Sequence, residues 1–543
     1  MKKILYNAKV YLRRETFAQA LLIEDQRIAA LGSNEDILAA AGRDAERIDA
    51  RGKLLLPGFH DCHLHLNALG RQAQMIDLSG LDSIEALIER GREALARLDL
   101  PAGAVALGRG FDQEAFAGEK RFPTRGDLDR ITTERPLMIT RICGHVVVCN
   151  TRMLERAGIA ESAPEVAGGK AETGEDGRPN GVLRENAAAL VRRLLPAPSE
   201  GELQRNLSSA MREALAHGLT AAASFDIGGP DFQQVVDAYS RIYRGGGPPL
   251  RITLQCGISG DPAYLDEYIG RGLFPGTVLH EPYLKMGPFK LFADGTLGSR
   301  TAWMREPYRD SPGATGFPVM DPALMGELLQ KAAAHGLQTM VHAIGDAAME
   351  SVISCYEAIT GPGHNPLRHG ILHCQITDRG LLERMAKNDI LALVQPVFLL
   401  HDHYMVESRV GRALASTSYA WGSMERLGIR AAYGTDCPVE SLDPIQGIAC
   451  AVTRKDPAAD HPREGFFPEE RVDVYTAVDN YTAGSAYANF DEGRMGRIRP
   501  GALADLVLLD RDIFTIPPEE IHKAGALCTL VGGEFAHGRD AVL

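Results

Sequence analysis

Between Pro57 and His65 the chain reads PGFHDCHLH, crowding three histidines and an aspartate directly behind the apolar run Leu54-Leu55-Leu56. Residues two apart on an extended strand point to the same face. Asp61, His63 and His65 are therefore expected on one face, with Cys62 and Leu64 on the other. A His-x-His pair there can offer two imidazoles to one metal ion. Further short apolar runs carry groups of the same kind: GPFKLFADG contains Lys290 and Asp294, QTMVHAIGD contains His342, GILHCQ contains His373, and AAYGTDCP contains Asp436. Each residue alone has an ordinary structural explanation, a hydrogen-bonded core histidine or an aspartate capping the turn before Pro438. Lysine is the odd one, since it is rarely buried without a partner. Recurrence at strand ends, in the order His-x-His, Lys, His, His, Asp, favours one shared metal centre over separate structural roles.

Such residues can meet only if the strands carrying them are neighbours. The chain's 543 residues exceed what one hydrophobic core usually serves, so a large domain with additions is expected. Eight candidate buried strands follow one another: Leu54–His63, Leu219–Phe225, Arg251–Ile258, Leu284–Ala293, Leu337–Ala343, Gly370–Gln375, Ile390–Val397 and Arg430–Thr435. Most are separated by helix-length stretches, such as Met325–His335 and Ala347–Ile359. The pattern predicts an α/β fold, a (β/α)8 TIM barrel whose active site lies at the C-terminal ends of its strands. An open doubly wound sheet is disfavoured because no glycine-rich dinucleotide fingerprint follows the first strand. Residues 1–53 and 494–543 read as short strands with too little apolar surface to stand alone, and are expected to pair into a composite β-sandwich. The barrel then takes 54–67 and 206–493. Residues 68–205 are too long for a crossover and read as an inserted cap subdomain over the barrel mouth, with AETGEDGRPNG as a hairpin or loop.

Bulk composition narrows the partners. A net charge of -13 argues against a nucleic-acid or anionic-membrane surface. The nine cysteines are scattered without CxxC pairs, as in a reduced cytoplasmic protein. No apolar stretch approaches the roughly 18 residues of a membrane span, and the N-terminal stretch lacks the pattern of a signal peptide. The expected partner is a small-molecule substrate, in a cytoplasmic protein for which a homodimer is the default assembly.

The words LLLPGFHDCHLH, GRGFDQ, GHVVVCNTRML, GVLRENA, KLFADGTLGSRTA, VHAIGDAA, LHCQ, YGTDCPV and GRIRPGALADLVLLD run along nearly the whole chain. In words and order it resembles the amidohydrolase superfamily, specifically its YtcJ-like branch, which includes N-substituted formamide deformylases. The resemblance implies a metal-dependent hydrolase in which Lys290 is carboxylated by CO2 and bridges two divalent ions, usually zinc. His63 and His65 would hold one ion, and His342 and His373 the other. Mixed imidazole and oxygen ligands suit zinc without excluding manganese, iron or nickel. Water on such ions ionises near neutral pH. Asp436 would contact a metal, accept that proton and pass it to the leaving nitrogen. His145 in RICGHVVVCN resembles a family position near the mouth, where it could bond the developing oxyanion. Asp112 and Gln113 in GFDQ, Glu185 in LREN and Arg300 in GSRTA are candidate substrate contacts. His60 and Cys62 are expected to be bystanders. The reaction implied is hydrolysis of a non-peptide C–N bond, a formamide or other amide. The alternatives are a deaminase or cyclic-amide hydrolase on the same site, and a non-enzymatic regulator on a retired barrel.

Overall fold

The apolar runs become parallel neighbours in one sheet of the computed structural model, which describes residues 2–542 except 43, 73, 74, 99, 101, 102, 197, 229, 230, 258–260 and 460. We number the barrel strands β1 (Phe59–Leu64), β2 (Leu219–Ile227), β3 (Arg251–Gly257), β4 (Leu284–Phe292), β5 (Thr339–Ala343), β6 (Gly370–His373), β7 (Leu391–Val394) and β8 (Ala431–Tyr433). They pair in that order, and a short antiparallel strand, Val278–His280, is added against β4. Ile258, the expected end of the third strand, lies outside the described residues. The two helices expected after β4 and β5 form as Pro322–Ala334 and Asp346–Ile359. The first begins where the Asp321 carboxylate accepts the N–H groups of Ala323 and Leu324 behind Pro322, a favourable helix start.

The seam between β8 and β1 is stitched just past the strand ends rather than along a ladder. Asp436 N donates to His63 O and His65 N to Cys437 O, both at 2.8 Å. The buried Asp61 carboxylate accepts the Thr435 N–H at 3.0 Å, the Thr435 hydroxyl at 2.6 Å and the His63 N–H at 2.9 Å. Gly434 is required here. A Cβ on it would stand 2.6 Å from Asp61 Oδ1 and 2.8 Å from His63 N.

Two expectations need correction. The run Leu54–His63 is not one strand. Leu54–Pro57 pairs with Lys9–Arg13 and Leu506–Leu509 in a six-stranded sheet, and only Phe59–Leu64 enters the barrel. The chain crosses at Gly58, where a Cβ would come within 2.2 Å of Thr220. Strict alternation along β1 also fails, because its pairing with β2 shifts register twice. Cys62 consequently joins Met340, Leu372, Leu391, Leu393 and Ala432 in an apolar plug shared by β1, β5, β6, β7 and β8, while Leu64 packs into the main core.

Both termini contribute to that six-stranded sheet, with Lys9–Arg13, Thr16–Ala18 and Leu54–Pro57 from one end and Leu506–Leu509, Ala526–Val531 and Glu534–His537 from the other. It packs through Leu55, Leu506, Leu508 and Leu530 on Leu5, Leu21 and Ile23 of a four-stranded sheet built from N-terminal strands alone. Between β1 and β2 lies a further mixed sheet spanning residues 76–185 and including the hairpin Gly169–Thr173/Pro179–Glu185. Helices Leu66–Gln72 and Glu200–Ala216 lie in sequence on either side of it and contribute Leu66, Leu203, Leu207 and Met211 to the barrel's own core. The sandwich is tied to the barrel by Arg251 of β3, whose guanidinium grips Asp505 at 2.7 and 3.1 Å with both side chains buried.

Removing one member of a buried pair leaves the other charge uncompensated. Asp505→Ala is therefore expected to destabilise the protein by about 3–5 kcal/mol, read as a lowered urea midpoint. A midpoint unchanged from wild type would show that Arg251 does not depend on Asp505.

Candidate metal centre and active site

Strand ends bring the singled-out residues together. His63 comes from β1 with His65 just past it, Lys290 from β4, His342 from β5, His373 from the end of β6, and Asp436 from the turn after β8. His63 Nε2 and His65 Nε2 face Asp436 Oδ1 at 3.2 and 2.9 Å, and Lys290 Nζ lies 3.2 Å from His63 Nε2. The donor atoms of His63, His65 and Asp436 all lie within 4.8 Å of one another. The His342 and His373 rings are 4.5 Å apart, and His373 is 6.2 Å from the His63 ring. Asp61, on the face predicted for these histidines, is instead committed to Thr435 and the seam.

Each imidazole has one ring nitrogen held by an oxygen that accepts. His65 Nδ1 donates to Phe225 O at 3.2 Å and His342 Nε2 to Gly295 O at 3.0 Å. His63 Nδ1 donates to Gln255 Oε1 at 2.5 Å and His373 Nδ1 to Gln395 Oε1 at 2.7 Å. The amides of Gln255 and Gln395 are themselves oriented, because their Nε2 groups donate to Cys62 O and Leu393 O. This leaves a lone pair on Nε2 of His63, His65 and His373 and on Nδ1 of His342, the form that binds a metal. Burial pushes His63 down to about 4, and both His342 and His373 well below the ordinary imidazole range, so these rings are neutral. Burial alone would push the Asp436 carboxyl up; N–H groups on His63 and His65 would hold it well below its usual range, a role that a cation takes over where their Nε2 lone pairs face it instead. Neutral lone pairs facing a carboxylate oxygen at hydrogen-bond distance need a cation between them, and this donor set fits a divalent ion. Burial also lowers Lys290 to about 7, against the pull of Asp436.

Backbone geometry is unusual at the same positions. His373 (φ 77°), Asp436 (φ 55°) and Glu185 (φ 50°) are all left-handed. Non-glycine residues held there cost about 1–3 kcal/mol each and cluster at functional sites.

Two chambers meet at His145, His342, His373 and Asp436. One of about 770 Å³ also reaches His63, His65, Lys290 and Phe292, and a smaller one of about 60 Å³ reaches Asp112, Phe398, Asp402 and Glu440. His145, from the inserted sheet, lies with its ring 5.3 Å from that of His342. Its Nδ1 donates to Glu185 Oε2 at 2.6 Å. Burial opposes a charge on this imidazole, but the Glu185 carboxylate outweighs it and lifts the pKa to about 9.

The four expected substrate contacts lie in different surroundings. Glu185 lines the larger chamber, with one oxygen accepting from His145 and the other from the Thr301 hydroxyl at 2.6 Å, and so also positions His145. Gln113 is buried and accepts from Arg141 Nε at 2.8 Å. Asp112 borders the smaller chamber while accepting from the same guanidinium. Arg300 pairs with Asp310 at 2.8 Å and lines neither chamber, a departure that its place beside the β4 loop concealed. Gln255, Gln395 and Arg141 went unnoticed in the sequence. The two glutamines carry the signal that betrays Lys290, a polar residue inside or ending an apolar run.

With that geometry in view, a model of the amidohydrolase family matches residues 46–537. The chain belongs to that family. YtcJ of Bacillus subtilis (strain 168) is 32% identical to this chain, the match covering 99% of each. The N-substituted formamide deformylase of Arthrobacter pascens is 27% identical, over 98% of this chain and 97% of its own. The crystal structure of an uncharacterized metal-dependent hydrolase from Pyrococcus horikoshii superposes with a TM-score of 0.75 at 26% identity, covering 95% of this chain and 99% of that one. Family membership and the convergent donors agree on a metal-dependent hydrolase. No helix among the described residues is long and apolar enough to cross a membrane.

Outer partners that orient metal-binding histidines typically contribute about 10- to 100-fold in metal affinity. Gln255→Leu should weaken divalent-ion binding by that factor, measured by competition with a chromophoric chelator. Undiminished affinity would mean that the His63 tautomer is set elsewhere.

Proposed function

We propose that this amidohydrolase hydrolyses a non-peptide C–N bond, in a formamide or another amide, using two divalent ions, zinc by preference, bridged by carboxylated Lys290. The reading rests on one observation: the Nε2 atoms of His63 and His65 converge on the Asp436 carboxylate beside a buried lysine, at the mouth of a substrate-sized cavity. A carboxylated lysine is an anion with two oxygens, and its formation needs the neutral amine that burial favours. His63 and His65 would hold one ion and His342 and His373 the other. Bound there, the ions would supply Lewis acidity, polarising the substrate carbonyl and acidifying water.

The chain's own groups do the remaining work. Asp436 is anionic and faces the reacting centre, so it takes the proton of the attacking water and delivers it to the leaving nitrogen. His145, charged through Glu185, presents Nε2–H towards oxygen charge developing on the carbonyl. Glu185 keeps that ring charged and aimed. Water and an amide enter, and a carboxylic acid and an amine leave. The similarity to a named formamide deformylase supports trying formamides first among amides.

Several outcomes test this. Chelator-stripped protein reloaded with Zn2+ should recover amide hydrolysis only when bicarbonate is supplied, and full recovery in CO2-free buffer would remove the carboxylated lysine. Asp436→Asn should lower kcat by about 10²- to 10⁴-fold in a formamide assay that detects acid and amine in equal amounts. Ammonia as the sole nitrogen product from every substrate would instead favour a deaminase. Because His145 is protonated below about 9, the oxyanion contribution should be lost as pH rises through that value. Glu185→Gln should move this alkaline limb down towards the ordinary imidazole range. A limb that does not move would separate it from His145.

A further inference from the structure

The larger chamber contains two cationic side chains that the chemistry above does not use. Arg109, on the strand Ala106–Phe111, donates through Nη2 to Ile142 O at 3.1 Å and to Pro438 O at 3.3 Å, next but one to Asp436. Arg192, ending the short helix Ala189–Arg192, donates through Nη2 to Gly144 O. Both line the 770 Å³ cavity. Both also approach the same residue, since a Cβ on Gly144 would lie 3.8 Å from Arg109 Nη1. Loss of water contact on the cavity side lowers the pKa of each; Asp436 opposes this at Arg109, while at Arg192, which is otherwise exposed, Glu185 opposes it and Arg109 adds to it. Neither guanidinium has a carboxylate within ion-pair distance among the described residues.

The acids of this chamber are hydrogen-bonded to other partners. Glu185 is held by His145 and Thr301. Asp294 accepts the N–H groups of Trp303, Ile344 and Gly345. Asp321 caps the helix Pro322–Ala334 from the rim, and Asp436 faces the imidazoles. Guanidinium groups remain charged at any working pH and present planar donor forks matched to oxyanions. Two of them, close together and satisfied only in part by backbone carbonyls, make a place where an incoming anion relieves repulsion and gains charge-assisted bonds.

We propose that Arg109 and Arg192 form a subsite for an anionic oxygen group, carboxylate or phosphate, on the substrate. The substrate would then be an amide whose larger portion carries that anion and fills the larger chamber. This deepens the amide reading and rests on it for the identity of the reacting bond. Anion recognition from the inserted sheet would position the scissile carbonyl against Asp436 and His145, because Arg109 braces the Pro438 carbonyl of the same turn.

Binding can be measured apart from turnover. Full-length protein stripped of metal with a chelator is titrated calorimetrically with N-formyl ω-amino carboxylates of increasing chain length, the matching phosphonates, and the methyl esters and amines of the same length. At the best length, one of the two anions is expected to bind at least about tenfold more tightly than its neutral ester, and the cationic amine more weakly still. The preferred anion tells carboxylate from phosphate. That preference should collapse in Arg109→Gln and in Arg192→Gln and survive in Arg192→Lys. Equal binding of anion and ester by the wild type, or a preference untouched by both glutamine variants, overturns the subsite. Turnover by metal-loaded protein is scored separately. Failure on every amide, with the anion preference retained, sinks the amide reading and leaves the subsite standing.

Discussion

Closure of the barrel between its first strand and the turn after its last is the constraint on which the site depends. Two backbone hydrogen bonds, from Asp436 N to His63 O and from His65 N to Cys437 O, place an aspartate and two histidines opposite each other although they lie more than 370 positions apart in the chain. Asp61 locks the same seam by accepting from Thr435 and from the His63 backbone. Because Gly434 lets the two segments touch, the seam and the metal centre are one structure. Such coupling is the reason that metal binding can contribute to folding stability.

Around this point the fold divides labour. The barrel supplies lone pairs whose tautomers are fixed by Gln255, Gln395 and backbone carbonyls. The insertion supplies charge, with His145 made cationic by Glu185 and the guanidiniums of Arg109, Arg141 and Arg192 set around the two chambers. The metal-capable donors thus sit at the barrel's strand ends, and the insertion faces them with His145. The sandwich holds the first barrel strand from behind, through Leu54–Pro57 and the Arg251–Asp505 pair.

Much of this was legible in the sequence, for a physical reason. A buried strand reads as an apolar run, and a charged or imidazole side chain at its end is costly unless it has work there. His63, Lys290, His342, His373 and Asp436 stood out on that contrast. The eight strands were legible for the same reason, apart from the first. Leu54–Pro57 and Phe59–Leu64 are both fully buried and nearly continuous, and the close approach of Gly58 to Thr220 marks where sandwich gives way to barrel. Register shifts in β1 depend on its neighbour and cannot be read from β1 itself. Polar residues of the insertion were harder. Glu185, Gln113 and Arg300 look alike as candidates for a ligand, and only their partners reveal that the first two brace other side chains and the third pairs with Asp310. Arg109 and Arg192 carry no local signal, since what distinguishes them is that no carboxylate among the described residues lies within ion-pair distance of either.

The central claim is that a cation occupies the gap between His63 Nε2, His65 Nε2 and Asp436. Anomalous X-ray diffraction at the zinc edge, from crystals of the zinc-loaded protein, tests it most directly. An anomalous peak is expected about 2.0–2.1 Å from each of those two nitrogens, with Asp436 turned towards it. Zinc density only at other positions, with the two imidazoles bridged to Asp436 by protons alone, would contradict it.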